Sequence, residues 1–327
     1  MTKAITKHRI EFIDLAKGIC ILLIICGHIG VNIPIPGFGV YMLPLYYLIS
    51  GMFYKESDRT ILFTKDKINR LLIPFLFFYI SAYLFFYLCN YAIPGLIQAG
   101  ATGIMDIFTQ RQYFNGPIWF VLSLFWCTLI FHLISLVVKH ELFRAIIVVA
   151  IGSLGAYLGV NNLFVPCMLD TSLTALPFFY VGTLLKKSSI LKPNKYDKYN
   201  LPIAIVLYTI LYLTLIYAGD IHVGFRDNRI IGNYYIILLV TLCGVMSVLL
   251  LCKSIKTIPF LVFYGRFSMI PLATHHLVYR PLFVLIPDYV SHKDYVITIL
   301  TIAITAILIP ICNKFIPYFV GKKNLLK

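Results

Sequence analysis

Ten runs of mostly apolar residues divide this chain and constrain it more than any motif does. They are Ile10–Ile33, Phe38–Tyr54, Leu71–Ile93, Pro117–Val138, Leu142–Val160, Leu163–Leu185, Leu201–Gly219, Ile230–Cys252, Ile258–Ile286 and Tyr295–Tyr318. A helix needs roughly 20 residues to cross the hydrocarbon core of a bilayer. The second run is short, and the ninth is long and interrupted by charge. Of the 327 residues, 60% are hydrophobic and 13% charged. That charge content is about half the share a soluble domain carries. Disorder, a coiled coil and an ordinary soluble globule are excluded. In lipid the backbone must satisfy its own polar groups, which favours helices. The expectation is therefore an all-α fold: one polytopic membrane domain over residues 1–327, a bundle of about ten transmembrane helices.

Lys and Arg alternate sharply between the loops. Of 28 such residues, 20 fall on one side, 4 on the other (Arg111, Arg226, Arg229 and Lys293), and Lys17, Arg266, Arg280 and Lys314 lie within runs. This bias predicts that both termini are cytoplasmic. The basic excess is topological, so nucleic acid is not an expected partner. Met1 to Arg9 is polar and basic, and the run after it carries charges and no small-residue cleavage site, so it reads as a first span and not a removed signal peptide. All eight Cys lie inside apolar runs, with no CxxC and no His/Cys metal spacing, so neither a disulfide framework nor a zinc site is expected.

Ionisable groups inside a span are costly and are functional candidates by default. Asp14 and Lys17 lie on the inner third of the first run and His28 toward the outer third. Lys17 and His28 are eleven residues apart, roughly 16 Å along the axis and close to three turns, so they face one direction. By depth, Asp170 in the sixth run and His275 and His276 in the ninth join His28 in an outer zone. Arg70, and Arg266 more deeply, join Lys17 in an inner, cationic zone. Neighbouring residues diverge by about 100° on a helix, so at most one of His275 and His276 is expected beside His28. Structural readings compete with each of these. Lys17 could snorkel with Asp14 as its partner. His28 could be a neutral imidazole bonded to a neighbouring helix. Arg70 could be a positive-inside anchor. Tyr41, Tyr113, Phe114 and Trp119 could belong to an interfacial aromatic belt.

Several segments, taken in order, resemble the acyltransferase-3 family of integral-membrane O-acyltransferases, and most closely its fucose 4-O-acetylase-like group. Glu11-Phe12-Ile13-Asp14-Leu15-Ala16-Lys17-Gly18 followed by Gly27-His28 matches the family's basic residue, ten residues, then His; the usual arginine is Lys17 here. Tyr47-Leu48-Ile49-Ser50-Gly51-Met52-Phe53-Tyr54 resembles its second-span stretch. Lys67-Ile68-Asn69-Arg70-Leu71-Leu72-Ile73-Pro74 resembles its entry to the third span. Gly116-Pro117-Ile118-Trp119-Phe120-Val121 resembles its G-x-x-W-F segment. Two further matches are Asp170 to Phe179 followed by Gly182, and Gly265-Arg266-Phe267-Ser268 followed by His275, where Phe267 stands in place of the usual Asn.

The resemblance implies transfer of an acyl group, usually acetyl from acetyl-CoA, to a hydroxyl of a cell-surface polysaccharide or its lipid-linked precursor, at the bacterial inner membrane. It implies His28 as the catalytic residue, Lys17 as its basic partner and Arg70 as the basic residue of the third span. By charge and depth, Lys17 and Arg70, with Lys67 or Arg266, would hold the acyl-CoA phosphates near the inner face, and His28 would act as general base. Asp170 is the depth-matched carboxylate expected to orient His28. Trp119 and His275 are expected to meet the acceptor glycan, and no metal is required. The rival class is a multi-span transporter or flippase for a glycan-related substrate. A proton-coupled carrier would place more carboxylates deep in its spans than Asp14 and Asp170.

Overall fold

The computed structural model describes residues 10–94, 103–109, 114–218 and 221–326. Lys3, Lys7, Arg9, Arg111, Tyr113, Gly219 and Lys327 lie outside the described residues. The described residues are mainly helical: α1 (Glu11–Ile29), α2 (Phe38–Met52), α3 (Thr60–Lys67), α4 (Ile73–Ala92), α5 (Asp106–Thr109), α6 (Trp119–Val137), α7 (Glu141–Val160), α8 (Leu169–Lys187), α9 (Asn200–Tyr217), α10 (Tyr234–Ile255), α11 (Pro259–Arg266), α12 (Met269–Leu285) and α13 (Lys293–Phe315). Among the described residues, eight helical stretches are long and apolar enough to cross a membrane, and they coincide with eight of the ten expected runs.

The second and ninth runs differ, each for a physical reason. Helix α2 is apolar but only 15 residues long. The ninth run is two helices, α11 and α12, broken at Phe267–Ser268. Pro271 has no N–H to give the Phe267 carbonyl, and its ring crowds that carbonyl. The third run is the far part of one 33-residue helical stretch from Thr60. There Pro74 cannot donate to Arg70, and the Ile73 N–H reaches back to the Ile68 carbonyl, opening a π turn at Ile68–Leu72. The eighth run starts later than expected. Ile230 and Ile231 belong to a short antiparallel hairpin, His222–Gly224 with Arg229–Ile231. Asn233 then caps α10, its side chain accepting from the Tyr235 and Ile236 amides.

Two close approaches of backbone lock the bundle. Gly18 of α1 lies against the Leu261 carbonyl of α11, and Gly265 of α11 against the Asp14 carbonyl of α1. Gly51 of α2 and Gly182 of α8 meet in the same way. Small residues let membrane helices pack at this distance, where dispersion and polar contacts replace the hydrophobic drive. Buried hydroxyls tie further helices together. Tyr47 of α2 donates to Ser123 of α6 at 2.6 Å, and Ser123 pairs with Ser172 of α8 at 3.1 Å. Loops rich in Lys and Arg are stitched to one another by ion pairs: Lys139 with Glu56 at 3.1 Å, Lys187 with Glu141, and Lys253 with Asp197 at 2.7 Å.

Gly265→Val is expected to lower the detergent-solubilised melting temperature, because its side chain falls on the Asp14 carbonyl. An overpacking cost of about 1–3 kcal/mol applies. Gly39→Ala, which meets open space, should leave the melt unchanged and serves as the control.

Candidate active site

Helix α1 ends at Gly30, whose φ of 96° gives the left-handed cap that lets the chain turn away. This leaves His28 in the last turn of α1, facing the middle of α12. His28 Nδ1 lies 2.9 Å from His275 Nε2. His275 Nδ1 lies 2.7 Å from the carbonyl of Pro271. A carbonyl only accepts, so His275 carries its proton on Nδ1 and presents a lone pair at Nε2. His28 Nδ1 then donates, and the lone pair of His28 rests on Nε2. These protonation states are assigned from the hydrogen-bond network.

His276 is here as well. Its ring centroid is 5.2 Å from that of His28 and 5.3 Å from that of His275. The expectation that only one of the adjacent pair could share a pocket with His28 is overturned. The rings of His275 and His276 diverge on α12, and His28 bridges the angle between them. Gly116 makes room, since a Cβ there would fall 2.8 Å from His276 Cε1. The buried side chain of Asn115 donates to the Ala273 carbonyl at 2.6 Å, pinning the turn before α6 to α12.

Three cavities run in series through the bundle. The first, about 180 Å³, is walled by His28, Pro117 and Trp119. The second, about 370 Å³, is walled by Lys17, Tyr46, Ser50, Arg70, Ser268 and the tail residues Val320 and Gly321. Leu43 and Leu272 line both. The third, about 500 Å³, adds Lys55, Ser57, Asp66 and Lys67, and shares Ser50, Phe53, Arg70 and Leu71 with the second. Lys17 and His28 therefore line adjoining cavities from one helix, as their spacing predicts. The broken ninth segment supplies Ser268, Met269 and Leu272 to the middle cavity.

The cations are held by neighbouring carboxylates. Lys17 pairs with Asp14 at 2.6 Å. Arg70 pairs with Asp66 at 2.6 Å, and Lys67 with the other oxygen at 3.2 Å. Arg266 turns toward Asp14, at 3.8 Å, while its neighbours Ser268 and Met269 take the cavity wall.

Two expected roles are corrected. Asp170 is fully buried at the start of α8, where its carboxylate accepts from the Thr171 amide at 2.8 Å. The group that orients His28 is His275. His275 is itself 0% exposed, so it stands behind His28 and does not present itself to a substrate. Trp119 does share a cavity wall with His28.

Residues to which the sequence reading gave no place at the site are Asn115, Asn69 and Arg226. The Arg226 guanidinium, in the hairpin turn, lies close enough for its charge to act on His28 and His276. The available signal was its place among the few basic residues on the side that Lys and Arg otherwise avoid. Asn69, 1% exposed, clasps the C-terminal tail: its Oδ1 accepts from Leu325 and Leu326 amides at 2.7 and 2.8 Å, and its Nδ2 donates to the Leu326 carbonyl at 3.0 Å. The tail so held forms one wall of the middle cavity.

Asn69→Ala strands those tail groups and is expected to free the tail. Trypsin should then cut at Lys322 and Lys323 several-fold faster than in the wild type. An unchanged cleavage rate would count against the clasp.

A comparison with protein families matches residues 10–312 to the acyltransferase-3 family, described as an acyltransferase domain. Searches of curated proteins and of solved structures give no match.

Proposed function

Since the chain belongs to the acyltransferase-3 family and is a multi-helix membrane acyltransferase, we propose that it moves an acetyl group from acetyl-CoA to a hydroxyl of a cell-surface polysaccharide or its lipid-linked precursor. The observation that carries this reading is the series of cavities leading from Lys67 and Arg70, past Lys17, to the free Nε2 of His28. The order of chemistry along it suits a cytoplasmic CoA thioester. Phosphates would sit at the basic end, where Lys55, Lys67 and Arg70 offer charge-assisted hydrogen bonds. The thin pantetheine arm would pass Lys17 and Ser50, and the thioester would stop at His28. The lysine- and arginine-rich loops then face the cytoplasm, with both termini on that side, in a bacterial inner membrane.

In the reaction, His28 Nε2 takes the proton from the acceptor hydroxyl as its oxygen attacks the thioester carbonyl. The His275 lone pair accepts from His28 Nδ1–H, which fixes the tautomer and steadies the imidazolium. The tetrahedral intermediate collapses, the carbon–sulfur bond breaks, and the CoA thiolate recovers the proton from His28. The indole of Trp119 offers the acceptor sugar a stacking face. A narrow apolar wall at Leu43 and Leu272 excludes water from the thioester and so limits hydrolysis. The residues on this path supply the proton transfer without a metal.

His28→Ala should cut transfer of radiolabelled acetyl from acetyl-CoA to glycan in membrane vesicles by about 10²–10⁴-fold, with membrane insertion retained. Full activity in the inserted variant would exclude His28 as the base. Glycan movement across the vesicle without labelling would identify a carrier instead.

Lys17→Ala should raise the KM for acetyl-CoA more than it lowers kcat. An unchanged KM would remove Lys17 from the donor site.

A further inference from the structure

Three imidazoles from two helices meet at one point beside the substrate cavity. One ring nitrogen each from His28, His275 and His276 lies within 4.8 Å of the others. In two of the rings the nitrogen that faces away is already engaged. His275 Nδ1 bonds to the Pro271 carbonyl at 2.7 Å, and His276 Nε2 to the Tyr279 hydroxyl at 2.9 Å. Tethering the outer nitrogen to a chain oxygen is how metal-binding histidines are oriented. The Pro271 carbonyl only accepts, so His275 Nε2 keeps its lone pair; His276 Nδ1 keeps one when the Tyr279 hydroxyl accepts from Nε2–H, and it has no hydrogen-bond partner, in a residue only 7% exposed. A buried ring nitrogen without a partner needs an explanation, and neither the acyl-transfer chemistry nor the packing supplies one.

We propose that His28 Nδ1, His275 Nε2 and His276 Nδ1 form a three-histidine site for a divalent transition ion, Zn2+ above all, and that filling it switches off the base. Neutral imidazole suits Zn2+, and three histidines leave a fourth, tetrahedral position for water. The cavity walled by His28 and Trp119 is the entry path. The ion takes the place of the proton shared between His28 and His275. As the bond to His28 Nδ1 forms, that nitrogen gives up its proton and Nε2 acquires one. His28 stays neutral, but its outward nitrogen now carries N–H and cannot accept a proton from a hydroxyl. Arg226 and Arg280, whose charges both act on His276, oppose a cation here. The affinity expected is therefore micromolar, below that of a structural zinc site. Binding does not depend on the acyl-transfer reading; the inhibition does.

The test uses the full chain purified in detergent. Titration calorimetry with ZnCl2 should give one ion per chain. Co2+ should give the intense visible absorption of a tetrahedral site. The His140→Ala/His222→Ala/His292→Ala triple variant, which removes three exposed histidines away from the cluster, should bind as the wild type does. His276→Gln and His28→Ala, each checked for a single size-exclusion peak, should weaken binding by at least about ten-fold. Unchanged affinity in either, binding lost in the loop variant, a weak octahedral Co2+ spectrum, or no binding at all would each overturn the site. Acetyl transfer should fall with Zn2+ at the midpoint measured by calorimetry. Binding without inhibition would leave the metal site standing and overturn His28 as the base.

Discussion

The His28–His275 hydrogen bond depends on α1 and the broken ninth segment lying backbone to backbone. Gly18 and Gly265 permit that approach by having no Cβ where the facing carbonyls stand. A membrane interior has no water to satisfy a displaced imidazole, so the position of each ring is set by the partner the bundle provides. Moving α12 away by the width of one methyl group would separate the imidazoles and leave His28 without a defined tautomer. The glycine contact thus reaches the chemistry through packing alone.

The broken helix serves the same end in another way. Pro271 ends α11 and restarts the chain as α12. The interruption delivers Ser268 and Met269 to the middle cavity, and one turn and more later sets His275 and His276 against His28, behind the outer one. Irregular backbone at membrane depth is tolerated where it lines a cavity or is buried in protein. The π turn at Ile68–Leu72 is the counterpart on the third span. Pro74 disturbs the helix at Arg70, a residue shared by the two lower cavities. Two prolines therefore shape two walls of one passage.

Polarity along the passage is graded. Its broad end carries Lys55, Lys67 and Arg70, its middle Lys17 and three hydroxyl-bearing side chains, Tyr46, Ser50 and Ser268, and its narrow end neutral imidazole and indole. Lys17 is matched to Asp14, and Lys67 and Arg70 share Asp66. Such pairing lowers the cost of holding charge near lipid and leaves N–H groups for an anionic ligand. A site arranged this way suits the donor proposed above, with a large anion at one end and a reactive carbonyl at the other.

Residue order alone determined the all-helical membrane character, eight of the spanning helices, and the stripe that carries Lys17 and His28. These follow from the length of apolar runs and from a rise and turn that every helix shares. It also pointed to the two irregular spans, since a short run and a charge-broken run cannot be regular crossings. It could not pair His28. Depth matching offered Asp170, whereas contact requires knowing which helices are neighbours and how closely they approach. That knowledge resides in the Gly18–Gly265 seam, in Gly116 clearing space for His276, and in Asn69 holding a tail more than 250 residues away. Helical periodicity is local and is written in the chain. Partner choice between helices is a property of packing, and only the folded bundle decides it.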